Sequence, residues 1–292
     1  MASSEQLYIG LDVGRTIRGA LVRLDGSILR QHRVVSEVSD ARIFVSQLID
    51  VIKALHSDEQ AGDAAAVGIG WAGMVNHRAQ RIEANPNLVD VSSYDLHSEL
   101  ERATGLPVVI DNDANVAAYG EWRSGAARGS NDVFYVTMGT GIGAALILGG
   151  QLQRGSRGFA GEFGHFKVDR DGLECGREQL FSDPSFSVSQ LARDMESTLT
   201  AERVVRAATE NDDLAASVLK ETGRMLGTAI ASIINLLNVE VVVLGGGLMA
   251  SGDLILESIR EAAQQATVLQ AFQCVRIVPA ELGQDAGIIG AA

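Results

Sequence analysis

Asp111-Asn112-Asp113-Ala114-Asn115 places carboxylates beside amides at the end of an apolar run. Phosphoryl transfer needs a carboxylate that accepts the proton of an attacking hydroxyl, and groups that orient that hydroxyl. An Asp next to an Asn offers both. The run before it, Pro107–Ile110, reads as a buried strand, and ligands of open α/β sheets collect outside the carboxyl ends of such strands. The same residues also suit an Asx-type cap that opens a helix at Val116, and Asp111 or Asn112 fits that plainer role. A second group is Gly161-Glu162-Phe163-Gly164-His165. Glu162 and His165, three apart, can point the same way and hydrogen-bond neighbouring sugar hydroxyls, although a lone Glu–His pair is usually structural.

Three glycine-bearing turns follow strands: Asp12-Val13-Gly14-Arg15-Thr16, Gly139-Thr140-Gly141-Ile142-Gly143 and Gly245-Gly246-Gly247. Glycine after a strand lets backbone N–H groups approach a phosphate with no Cβ in the way. Thr16 and Thr140 can add hydroxyl donors. One such turn is weak evidence, because tight turns are common; three at the ends of buried strands weigh more. None fits the P-loop, which ends Gly-Lys-Ser/Thr, and none fits the spaced dinucleotide fingerprint. A nucleotide gripped between two lobes is the better reading.

These residues need a scaffold of alternating strands and helices, which predicts an α/β fold with a largely parallel sheet. Strands are expected in Leu7–Leu29, Ala65–Trp71, Pro107–Ile110, Val133–Met138, Ala144–Leu148 and Val239–Leu244. Helices are expected in residues 40–56, Leu96–Thr104, Ala215–Leu237 and Leu254–Gln265. The segments opening at Leu7 and Val133 share an order: strand, turn with Gly and Thr, strand, glycine turn. They read as weak repeats about 125 residues apart, hence as two similar lobes. The boundary is placed at residue 120, giving lobes 1–120 and 121–292. A cleft between such lobes is expected to close on its substrate, hinging near Tyr119–Asn131.

Bulk properties agree. The 292 residues are 46% hydrophobic and 21% charged, with formal net charge −13. An acidic chain without a basic block disfavours nucleic acid as a partner. Cys175 and Cys274 are too few for a disulfide framework, which favours a reducing cytoplasm. No signal peptide or membrane span is expected.

The ordered motifs Asn112–Asn115, Thr137–Gly143, Gly155–His165, Val243–Gly247 and Leu282–Ala292 resemble the ROK family (repressor, open reading frame, kinase), glucokinase-like sugar kinases of the actin and hexokinase superfamily. The resemblance runs from Leu11 to Ala292. It implies two ribonuclease-H-like lobes with a ligand cleft between them, and transfer of phosphoryl from ATP, with Mg²⁺, to a hexose hydroxyl. By resemblance Asp113 is the general base. Gly73, Asn87, Asn112, Glu162 and His165 bind the sugar, and Asp12 faces the Mg²⁺ side of the phosphates. Gly14, Thr16, Gly139, Thr140 and Gly141 hold phosphate oxygens, and Gly245, Gly246 and Gly247 lie near the adenosine. A homodimer is also implied.

Two departures stand out. The family's first phosphate turn reads Asp-x-Gly-Gly-Thr-Lys, whereas here Arg15 stands where glycine is expected; a positive φ would cost such a residue roughly 1 kcal/mol or more. Alternatively, its guanidinium binds phosphate. The family's structural zinc uses one His and three Cys. Here His165 and Cys175 keep two ligand positions, while Arg177 and Ser182 replace the others, so no zinc of that type is expected. Pro184 stands where a sugar-contacting Glu is aligned, with Glu178 and Asp183 nearby. A catalytically weak or inactive sugar-binding sensor is the alternative to a kinase. A repressor is disfavoured, since eleven residues ahead of Asp12 leave no room for a helix-turn-helix.

Overall fold

The computed structural model describes residues 6–58, 62–85, 88–92, 94–139, 141–167 and 201–292. Contacts divide the chain into two compact units, 1–129 with 152–160 and 281–292, and 130–151 with 161–280. The sequence boundary at residue 120 falls inside a helix of the first unit, and two later segments return to that unit.

In the first unit, β1 (Leu7–Val13), β2 (Thr16–Arg23) and β3 (Ile28–Val35) form an antiparallel meander. Short β4 (Ser57–Asp58) leads into β5 (Gly62–Trp71), which runs parallel to β1. The ribbon β6 (Met74–Asn76) and β7 (Arg81–Ala84) follows, and β8 (Val108–Asn112) then pairs in parallel with β5. Period-2 alternation buries Leu7, Ile9, Leu11 and Val13. Helix α1 (Ala41–Leu55) begins where the Asp40 carboxylate accepts the N–H groups of Arg42 and Ile43, and it buries Phe44, Leu48, Ile52 and Leu55. Helix α2 (Leu96–Thr104) precedes β8, and α3 (Asp113–Ser124) follows it without a gap.

In the second unit, β9 (Val133–Met138) and β10 (Ile142–Leu148) are antiparallel, with β11 (Gln151–Leu152) outside β10. Helices α4 (Ala201–Thr209) and α5 (Asp213–Leu237) lead to β12 (Val241–Gly245), parallel to β9. Helices α6 (Asp253–Ala266) and α7 (Leu269–Cys274) precede β13 (Arg276–Pro279), parallel to β12. The core joins Phe134, Val136 and Leu244 of the sheet to Leu226, Ile230 and Ile259 of the helices.

The expected repeat is present in the topology. The order β3-β2-β1-β5-β8 matches β11-β10-β9-β12-β13: three antiparallel strands, then two parallel ones. The leading hairpins match in detail. Val13 pairs with Ile17 and Met138 with Ile142. Gly14 N–H donates to Thr16 O (3.3 Å), and Gly139 N–H to Gly141 O (2.9 Å).

Helix α8 (Ala286–Ala291) returns to the first unit and packs on β1, β2, β5 and α3. It comes so close that a Cβ on Gly10 would collide with Ile288 O, and one on Gly68 with Ala291 O. Two local expectations change. The first helix after the carboxylate cluster starts at Asp113 rather than Val116, because Asn112 caps it. The third strand extends to Val35, where sequence reading ended it at Leu29.

Candidate active site

Three parallel strand ends stand in register in the first unit. Asp12 of β1 pairs across to Gly70 of β5, and Gly70 to Asp111 of β8. One step further, Val13, Trp71 and Asn112 align. Asp12, Asn112 and Asp113 therefore share one sheet edge. Gly70 had no place among the candidates. A Cβ there would collide with the Val116 side chain and come within 3.5 Å of Asp113 Cα, so glycine lets the first turn of α3 seat on the sheet.

Asn112 is the N-cap of α3. Its Oδ1 accepts the N–H groups of Ala114 (2.9 Å) and Asn115 (3.2 Å), and its Nδ2 donates to Gly73 O (3.0 Å). The helix-cap role is thus real, and it is filled by Asn112. Such a cap contributes about 1 kcal/mol. Gly73 has φ 154°, and a Cβ there would meet the Ala84 backbone, so β7 lies against it. Asp113 is the first helical residue, half-buried, with Oδ1 accepting the Ala114 N–H at 2.9 Å. A carboxylate there lies at the positive end of the helix dipole.

Asp111 is 4% exposed. Its Oδ1 accepts from Asn112 N (2.8 Å) and Asn115 Nδ2 (2.9 Å). Its Oδ2 accepts from Arg154 Nε (2.6 Å), and His77 Nδ1 lies 3.8 Å away. Gln80 grips the preceding residue, accepting from Ile110 N (2.6 Å) and donating to Ile110 O (3.3 Å). Sequence reading missed Arg154, His77 and Gln80; nothing in their local pattern marks them.

At the end of β1, Asp12 is ion-paired with Arg18 of β2. Gly14 has open space where a Cβ would stand. Arg15 is exposed and is absent from the positive-φ residues, so the backbone strain anticipated at that position does not arise. Its carbonyl accepts the Ser36 N–H (3.2 Å). Thr16 begins β2.

In the second unit, Gly245 pairs with Thr137, which brings the Gly139 turn and the Gly245–Gly247 turn side by side. They touch closely. A Cβ on Gly246, whose φ is 91°, would collide with Met138 N and O. Gly139 and Gly247, by contrast, face open space. Glu162 precedes and His165 ends a 3₁₀ turn, Phe163–His165, anchored by Phe163 against Phe134 at 5.1 Å, edge to face. The His165 Nε2–Glu162 Oε2 distance is 3.9 Å, with the two side chains 60% and 44% exposed. Asn87, Thr140, Cys175, Arg177, Glu178, Ser182, Asp183 and Pro184 lie outside the described residues. Among the described residues no cluster of three or more His, Cys, Asp or Glu suits a metal ion. No described helix is long and apolar enough to cross a membrane.

Comparison with known proteins gives the geometry a context. The chain is 32% identical over 311 residues to the glucokinase of Streptomyces coelicolor, spanning 98% of this chain and 96% of that protein. The xylose repressor of Bacillus subtilis is 30% identical, spanning 97% of this chain and 75% of the repressor. The crystal structure of a ROK family glucokinase from Streptomyces griseus, in complex with glucose and AMPPNP, superposes with TM-score 0.81 at 32% identity, covering 98% of both chains. The ROK hexokinase from Thermus thermophilus superposes with TM-score 0.82 at 29% identity, over 98% of this chain and 97% of that one. The fold is thus the α/β actin and hexokinase type, with ribonuclease-H-like lobes. With the ROK family model matching residues 8–292 as well, the chain belongs to the ROK family.

Proposed function

We propose that the protein is an ATP-dependent hexose kinase of the glucokinase type, with Asp113 as general base. The observation that carries this reading is the strand-end register of Asp12, Gly70 and Asp111, which sets Asp113 at the head of α3 beside the capped Asn112. In this reading Asp113 takes the proton of a sugar hydroxyl as that oxygen attacks the γ-phosphorus of ATP. Asn112, Gly73, Asn87, Glu162 and His165 are the sugar-binding residues.

The turns fit a nucleotide's phosphates. Gly14, Gly139 and Gly247 lack a positive φ, and no neighbour fills the place of their Cβ, so the fold itself does not require glycine there. Room for phosphate oxygens accounts for it. Thr16, Thr140, Gly141, Gly245 and Gly246 complete the set. Asp12 offers a carboxylate to the magnesium of Mg·ATP, and Arg18 would be its competitor. Magnesium supplies charge neutralisation on the phosphates. The protein is expected to carry no stoichiometric zinc; elemental analysis finding one zinc per chain overturns that. A cytoplasmic homodimer completes the reading, checked by cell fractionation and sedimentation.

A coupled ATPase assay across a panel of hexoses tests the function. Sugar-dependent ADP release is expected. ATP-independent sugar binding with no turnover would instead support a sugar-binding sensor, a second reading favoured by the Arg18–Asp12 pair and the similarity to a xylose repressor.

A further inference from the structure

We infer that Arg154 and Asp111 form a positioning pair for the phosphoryl-transfer step, holding the strand end from which Asn112 and Asp113 project; this rests on the kinase reading above. Asp111 itself is unsuited to touch substrate. It is 4% exposed, and both carboxylate oxygens are engaged within the chain.

What those oxygens engage decides the role. Oδ1 binds the Asn112 backbone N–H and the Asn115 side-chain amide, which lie on either side of Asp113. Asn115 is 1% exposed, and its Oδ1 has no partner among the described residues, so its bond to Asp111 orients the amide. Oδ2 binds Arg154 through Nε, the donor nearest the stem and so the least mobile of that side chain.

Arg154 is seated in turn. It lies in the segment 152–160, whose Gly158 has φ 97° and lies so close to β6 that a Cβ would collide with Val75 O. From the other side, Gln80 fixes both polar groups of Ile110. The residue before Asp111, the residue after it and its own carboxylate are therefore all tied. A base displaced by about 1 Å can lose on the order of 10² in rate. Arg154 also balances a charge buried two residues from the base.

The test compares Arg154→Met, Arg154→Lys, Asp111→Asn and the double variant Asp111→Asn with Arg154→Met, once wild-type turnover on a hexose is established. Arg154→Met is expected to lower kcat by roughly 30- to 100-fold while the KM values for sugar and ATP move less than about threefold, the pattern of a lost transition-state geometry. Arg154→Lys keeps the charge and should recover at least about tenfold of that loss. The double variant should be no worse than the poorer single one, because the two residues act as a unit. A folded Arg154→Met enzyme with wild-type kcat, or losses that multiply in the double variant, overturns the pair. If Asp111→Asn does not fold, the two Arg154 variants decide, since that side chain is 32% exposed. If the wild type phosphorylates no sugar, the kinase reading has failed, visibly and first, and the pair falls with it.

Discussion

Asp113 and Asp111 sit two apart and have opposite environments. Asp111 is sealed into an ion pair, whereas Asp113 is half-buried at a helix start. Asp113→Asn keeps an oxygen to accept the Ala114 N–H, so α3 should start unchanged. Sugar and nucleotide binding should persist while turnover falls roughly 10²-fold or more; near-normal turnover removes Asp113 from the mechanism. In the plainer role of cap or strand end that the sequence leaves open for Asp111, Asp111→Asn would matter far less than the same change at Asp113. The buried network gives it weight of its own, because an amide in place of the carboxylate cannot accept from both Arg154 and Asn115 through oxygen. Arg15 makes a prediction of another kind. Its backbone is unstrained, so Arg15→Gly should not stabilise the fold. A loss of about 0.5 kcal/mol is expected from the freer unfolded chain, and urea titration showing a gain would reveal hidden strain.

At the scale of elements, the pattern of apolar runs was enough to find β9, α5 and the strand before Asp111, because each buries a continuous face. The matching hairpins were legible for the same reason: a Gly-bearing turn between two apolar strands is a local signal. The supports of the site were not. Arg154 reaches Asp111 across 43 residues and Gln80 reaches Ile110 across 30, and an arginine or glutamine in a loop carries no mark of its distant partner. The start of α3 was misplaced because Asp and Asn read equally well as turn or cap; only the Asn112 bonds decide. The expected hinge glycines also acquire other duties. Gly120 lies against the α8 backbone, and Gly125 against the Glu121 carboxylate. Helix-on-sheet contact through bare backbone is unforgiving. Gly68→Ala would drive a methyl into Ala291 O, a backbone atom that cannot swing aside. A loss of about 1–3 kcal/mol is expected, read as a lower urea midpoint at unchanged slope. An unshifted midpoint would show that α8 moves freely on the sheet.

The whole molecule closes its first unit with residues far along the chain. Besides α8, the segment 281–292 supplies the Glu281 and Leu282 N–H groups to the Glu121 carboxylate, which is fully buried and also accepts from Ala126 N. Ile288 completes a small core with Ala20 and Val22. A chain ending at residue 280 should therefore keep the second unit folded but leave the first open to proteases, seen as early trypsin cuts confined to residues 1–129 and 152–160. Equal resistance of both units would refute this. The same feature reaches into the chain's birth on the ribosome. Synthesis delivers residues 130–280 before the partner of Gly10 and Gly68 exists, so the face of the β-meander that α8 covers must wait bare until 281–292 leave the exit tunnel. The half of the protein that carries Asp113 thus depends on residues made after 130–280, and a message cut short before residue 281 yields a molecule whose turns at Gly139 and Gly247 are formed while Asp113 has no settled place.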